Sequence, residues 1–377
     1  MEFYSISVLA FLGILILIIH RDRKNIEFQY GLLMRKTKAG IEILDKLARP
    51  ASFWKFLGTI GVIVGIFLMF DGVFSLIAYG KMLATGTVTA PGLSFVFPSI
   101  SSQVEVGRGY ILMPFWFWLI IIMSVIFPHE AFHGILSRVE KIKVKAAGVL
   151  LLVILPGAFV EPDEKQLKKS KLMSKLRVFA AGSLANFLVY VIVFGLISSV
   201  IWPFFVPGPI VLSEVNATSP ASEAGLKSGM VITEMNGKNV KSTYAEFLNG
   251  SSYLADETKG LKSGDEILLV ANGTFYNVTL GTNPENKTLP YLGIAYSPVI
   301  NGDSTTVTFI FQLLTWVWII NYAISVFNIM PIYPLDGGLI VQAIAERINK
   351  KYANKLTFAV TFIMLLILAY NFIAPFL

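Results

Sequence analysis

Two histidines and a glutamate stand together in the segment Ser124–Glu140, SVIFPHEAFHGILSRVE. His129 and His133 are four residues apart, and on a helix positions i and i+4 share a face. Imidazoles so placed can bind one zinc ion, while Glu130 can polarise a water beside it. The chain has three histidines, and this pair uses two of them. They follow seventeen residues without a charge, Ile111–Phe127. That puts them at the edge of an apolar stretch, where ionisable groups are costly and usually functional. The plainer reading is a helix end with its histidines at headgroup level.

An open zinc site needs a third protein ligand. The best candidate is Asp336 in FNIMPIYPLDGG, Phe327–Gly338, which ends an uncharged stretch begun at Ser304. Pro331 and Pro334 break the helix before it and Gly337–Gly338 follow. Broken backbone at membrane depth is tolerated where it is buried in protein or lines a watery cavity. Asp336 is also placed to cap the helix GGLIVQAIAERINK, a role that leaves the Pro-x-x-Pro context unexplained.

The elements that must position these residues are membrane helices. Of 377 residues, 55% are hydrophobic and 15% charged, and the mean hydropathy is +0.67. Six apolar runs approach the ~20 residues a bilayer crossing needs: Tyr4–Ile19, Phe56–Tyr79 (interrupted by Asp71), Ile111–Phe127, Val178–Phe205, Thr308–Phe327 and Leu356–Leu377. The first ends at HRDRK without a small-residue cleavage site, which favours an uncleaved anchor over a signal peptide. His20 reads as an interfacial residue, and Asp71 as lying near the outer interface or in a polar contact.

Lys and Arg set the topology. They number 9 in residues 20–55, 10 in 138–177 and 4 in 341–355, against 2 in 80–110 and 6 in 205–300. The basic loops are therefore expected to be cytoplasmic and both termini outside. The net charge of +7 expresses this bias and contact with anionic lipid, and nothing calls for nucleic acid. Cysteine is absent, so a metal would need His and carboxylate ligands.

Residues 205–300 differ in kind. They hold 6 basic and 9 acidic residues and short alternating apolar runs, and read as an inserted soluble domain on the outside. All five glycosylation-type sequons fall there, at Asn216, Asn249, Asn272, Asn277 and Asn286. GLKSGMVI at 225–232 is echoed by GLKSGDEI at 260–267, each reading as a turn into a strand.

HEAFH on one span and NIMPIYPLDGG on a later one together resemble the site-2 protease family of intramembrane zinc metalloproteases. FAAGSLANF, Phe179–Phe187, is similar to that family's Gly-x-x-x-Asn helix, with Gly182 and Asn186. Lys143–Glu164 resembles its re-entrant β-hairpin, and Asn216–Val240 a PDZ domain. The resemblance spans roughly residues 110–377. It implies that His129, His133 and Asp336 hold one Zn²⁺ and that Glu130 is the catalytic base. It implies too that Asn186 and Asn328 bind substrate backbone or the oxyanion, where glue between helices is the other reading. A hairpin over Ala146–Val160 would keep the basic residues on both sides of it in one compartment, and its edge would hold an unwound substrate. A plain buried hairpin is the alternative. YLGIAYSP, Tyr291–Pro298, looks like a carboxylate-binding loop, with amides at Leu292, Gly293 and Ile294. A folded plug without peptide affinity is the other reading of that domain.

The expected fold is a polytopic α-helical membrane protein of about six transmembrane helices, with a re-entrant β-hairpin and an inserted extracytoplasmic PDZ-like α+β domain. Its expected parts are an anchor and basic segment (1–50), a second span with external loop (51–110), the first half of the catalytic core (111–204), the PDZ-like domain (205–300) and the second half of the core (301–377). The expected partners are membrane-anchored proteins with a transmembrane helix, and the lipid bilayer; oligomeric state is unread. Two other classes stay open: an inactive membrane scaffold with a PDZ-like peptide-binding domain, and a metal transporter. A transporter would be expected to show related halves or several acidic residues along a path, and neither is found.

Overall fold

Each of the six apolar runs contains a long helix, because only a helix satisfies its backbone within one apolar segment. The computed structural model describes residues 3–29, 31–152, 155–201, 208–242, 253–283, 290–299 and 304–376. The sequons at Asn249 and Asn286 lie outside them. The chain divides into two units, residues 1–194 with 315–377, and residues 195–314.

The first unit opens with α1 (Phe3–Asp22), β1 (Glu27–Gln29), β2 (Leu32–Lys36), α2 (Lys38–Leu47) and α3 (Ala51–Ala84). A three-stranded sheet follows, of β3 (Phe95–Ser99), β4 (Glu105–Gly107) and β5 (Tyr110–Pro114), in the order β3-β5-β4. Ile111 was expected to begin a span. It lies in β5 instead, and the helix α4 starts after Pro114 and runs Phe115–Val139. Beyond α4 come β6 (Val144–Leu152), β7 (Leu155–Pro162), α5 (Glu164–Lys169), α6 (Leu172–Phe179) and α7 (Ala181–Leu196). Among the described residues six helices are long and apolar enough to cross a membrane, and α1, α3, α4 and α7 are four of them. Large apolar side chains on them point outward, such as Phe74 at 72% exposure, as lipid contact requires.

β6 and β7 pair antiparallel, with Ala147 opposite Val160, over the segment in which a re-entrant hairpin was expected. The N-terminal strands extend it to a sheet of order β1-β2-β6-β7, with Arg35 opposite Val149. β7 is therefore an edge.

Glu140, just past α4, ties three helices together. It accepts hydrogen bonds from Ser174 Oγ (2.6 Å) and Arg177 Nη1 (2.8 Å), and Arg177 Nε reaches Thr59 Oγ1 of α3 (3.0 Å). Burial opposes its charge, but these bonds and the Arg177 and Lys55 charges hold the carboxyl below the usual range. Its stabilisation is complete above the unfolded carboxylate pKa of about 4.3 and is lost as the pH falls through the lower folded value. Glu140→Gln should cost about 1–3 kcal/mol at neutral pH and flatten the fall in Tm below pH 5; an unchanged acid limb of Tm against pH would refute this.

The second unit is an α+β fold. β8 (Ile210–Val215), α8 (Pro220–Glu223), β9 (Val231–Met235), β10 (Lys238–Asn239), α9 (Tyr253–Glu257), β11 (Glu266–Ala271), β12 (Thr274–Thr279), β13 (Gly281–Thr282), β14 (Pro290–Tyr291) and β15 (Ile294–Pro298) follow in order. The main sheet runs β12-β11-β9-β8-β15 over a core of Ile210, Leu212, Ile232, Ile267, Leu269 and Val278. The echoed octapeptides make one kind of turn. Gly225 and Gly229 lead into β9, Gly260 and Gly264 into β11, and all four have φ between 88° and 96°, where a side chain is strained.

The chain then returns through α10 (Ser304–Ile329), α11 (Asp336–Asn349) and α12 (Ala353–Ile373). α10 and α12 complete the six candidate spans.

Candidate metal centre

α4 supplies the two histidines on one face. The third group arrives by a tight reversal. α10 ends at Ile329 and α11 begins at Asp336. The reversal works because two glycines let the start of α11 fold against the end of α10. A Cβ on Gly337 would lie 1.8 Å from the Ile329 carbonyl oxygen, and one on Gly338 would lie 2.4 Å from the Tyr333 nitrogen.

Asp336 Oδ2 then lies 3.5 Å from His129 Nε2 and 3.3 Å from His133 Nε2, and the two Nε2 atoms are 3.2 Å apart. A tetrahedral zinc with ligands at about 2.0–2.1 Å has ligand–ligand edges of about 3.3–3.4 Å. The three atoms thus mark one face of such a tetrahedron. Their chemistry agrees. His133 Nδ1 meets the Val178 carbonyl at 2.8 Å, and a carbonyl can only accept. That places a proton on Nδ1, and in the neutral ring the Nε2 lone pair then faces Asp336. Among the described residues, Asp336 Oδ2 is buried and has no hydrogen-bond partner. Acceptors crowded in this way suit a cation among them. Among the described residues this is the group of His, Cys, Asp and Glu side chains placed to hold a metal.

Asn186, on α7, reaches His129 Nδ1 at 3.3 Å through its amide. Its nitrogen faces the imidazole, and among the described residues its buried Oδ1 has no partner. A half-turn of the amide lets Oδ1 accept from Nδ1–H and frees the His129 Nε2 lone pair, while Nδ2 takes the unpartnered position. Asn186→Leu is expected to weaken zinc binding 10–100-fold and Asn186→Asp to retain it; equal affinities in a chelator competition would contradict this. α7 comes this close because position 182 is glycine. A Cβ there would lie 2.3 Å from His129 Cε1 and 2.5 Å from His133 Nε2.

Glu130 points to the hairpin, and its Oε2 accepts from the Val160 N–H of β7 at 3.0 Å. Asn328 lies half-buried near the end of α10, and among the described residues no hydrogen bond joins it to the three ligands. Leu292, Gly293 and Ile294 belong to the second unit, where they line a groove of 810 Å³ beside β15. Asp71 is in a polar contact, accepting from Tyr322 Oη at 2.9 Å. Sequence reasoning missed two features. The Val160 amide leaves no side-chain signal, and Asn321 was passed over although it is a lone amide within an uncharged run, WIINYAIS.

A relative, Uncharacterized protein MJ0971 of Methanocaldococcus jannaschii, is 29% identical over 354 residues, covering 92% of this chain and 87% of its own. The model of Peptidase family M50 matches residues 117–370, a stretch that runs from the first turn of α4 through the three candidate ligands and well into α12. The chain belongs to peptidase family M50, the site-2 protease family of metalloproteases.

Proposed function

We propose that this protein is an intramembrane zinc endopeptidase that cleaves transmembrane segments of membrane-anchored proteins in regulated intramembrane proteolysis. The observation that carries the reading is the triangle of His129 Nε2, His133 Nε2 and Asp336 Oδ2, with edges of 3.2–3.5 Å. These three residues would hold the ion, which, when bound, supplies Lewis acidity that acidifies water and polarises a peptide carbonyl. Glu130 accepts a proton from the attacking water and returns it to the leaving amine. The half-turn that satisfies His129 leaves Asn186 Nδ2 free to donate to substrate, and Asn328 is the second candidate for backbone or oxyanion contact.

A transmembrane helix hides its peptide bonds in its own hydrogen bonds and must unwind before attack. The β6–β7 hairpin is the re-entrant element, and its β7 edge receives the unwound stretch by strand addition. Val160 joins that edge to the base. The basic loops face the cytoplasm, and both termini and the second unit lie outside. That unit is PDZ-like. β15 is a sheet edge beside the 810 Å³ groove, and the amides at Leu292–Ile294 suit a C-terminal carboxylate.

The test is cleavage of a single-span substrate by the protein in lipid vesicles. Cleavage should stop with 1,10-phenanthroline and return with added zinc. Cleavage that survives complete metal removal would sink the reading. Zinc bound at full stoichiometry with no substrate cut would favour the scaffold.

A further inference from the structure

Above the ligands, toward the N-terminal end of α4, the interior between α4, α7 and α10 is polar. Ser183, Asn186, Asn321 and Ser325 are all fully buried. Thr315, Trp318, Asn321 and Ser325 are spaced to share one face of α10. That face meets α7, since Ser325 Oγ donates to the Ser183 carbonyl at 2.9 Å and Trp318 stacks on Tyr190 at 5.5 Å. It also meets α4, where Asn321 Nδ2 donates to Ser124 Oγ at 3.0 Å. From Ser325 to Thr315 the strip rises about 15 Å along the helix.

Hydrogen bonding along this strip is incomplete within the protein. Among the described residues, Asn321 Oδ1, Ser183 Oγ, Thr315 Oγ1 and Trp318 Nε1 are buried and have no partner. Pro128 sits inside α4 and has no N–H to return to the Ser124 carbonyl, so that acceptor too is released beside Asn321. Leaving such a group buried and unsatisfied is costly. Helix glue explains the paired half of Asn321 and leaves these groups orphaned. The unpaired set mixes acceptors, an indole donor and hydroxyls, and water satisfies both kinds.

We infer that the α4–α7–α10 interior binds a short series of water molecules, anchored at Asn321 and Ser124, that runs from the His129–Asn186 contact along α10 toward Thr315. The seam is thus an internal hydration site inside the membrane, next to a centre whose proposed reaction consumes water. The functional meaning rests on the peptidase reading, but the hydration itself does not.

The chain has no cysteine, so a single introduced thiol is a unique probe. Ser124→Cys and Ser325→Cys, in lipid vesicles, are expected to react with 2-aminoethyl methanethiosulfonate at least 100-fold faster than Ile192→Cys, whose parent side chain is 61% exposed on α7. Asn321→Leu added to Ser325→Cys should slow its reaction at least 10-fold. Rates as slow as that of Ile192→Cys at both serines would overturn the inference. Where a cysteine variant misfolds, the Trp318 indole decides. Its N–H signal, identified by loss in Trp318→Phe, should exchange with D₂O within minutes, whereas persistence for hours marks a dry interface. Neither readout requires cleavage, so a dry seam and an inactive protein are told apart.

Discussion

Glu130→Gln should lower cleavage of a single-span substrate by about 10²–10⁴-fold while bound zinc stays at the wild-type level. Glutamine has the shape of glutamate and keeps a carbonyl oxygen that can accept from the Val160 N–H, as Glu130 Oε2 does at 3.0 Å. The hairpin therefore has no reason to move, and the three ligand atoms are untouched. What is lost is a group able to take a proton. Initial rates and metal content measured on the same preparation separate the outcomes. Undiminished cleavage would remove Glu130 from the chemistry, and lost zinc would mean that it supports the metal instead.

Gly182→Ala should reduce bound zinc at least tenfold without unfolding the protein. The added Cβ would lie 2.3 Å from His129 Cε1, 2.4 Å from its Nε2 and 2.5 Å from His133 Nε2. Comfortable carbon contacts lie near 3.5–4.0 Å, so α7 must shift by about 1 Å or both rings must turn. Either response spoils the triangle. The control is internal to the substitution, because alanine is favoured over glycine within a helix by about 1 kcal/mol. A fall in zinc with an unchanged or raised Tm is therefore steric in origin. Full zinc content in Gly182→Ala would show that the ligands do not meet beside α7.

Rare chemistry against an apolar background was readable in the sequence. Two of three histidines, one glutamate and one aspartate at the ends of uncharged runs identified the groups that the fold brings together. The spans were readable for the same reason, since length and hydropathy are nearly sufficient for a helix in lipid. The N-terminal strands were not. β1 and β2 are three and five residues long, and β2 pairs with β6 more than a hundred residues away. The Asp71–Tyr322 contact joins positions 251 apart, so neither residue announces the other. Ile111 continued an apolar run and gave no sign of the strand that Pro114 ends. The seam along α10 was hidden because a serine or asparagine within a span reads equally as glue.

If β7 receives substrate as proposed, the short edge between its prolines sets how far a guest helix must open. Prolines at 156 and 162 carry no N–H and bracket the edge, leaving residues 157–161 between them. Five extended residues span roughly 17 Å, and alternate residues point their backbone groups outward. A guest pairing there gives up about one and a half helical turns and remains wound on either side. Local fraying of that extent costs far less than global unfolding. Susceptibility should then follow the weakest turn of a membrane segment rather than its overall stability, and one glycine or asparagine in that turn should matter more than the composition of everything around it.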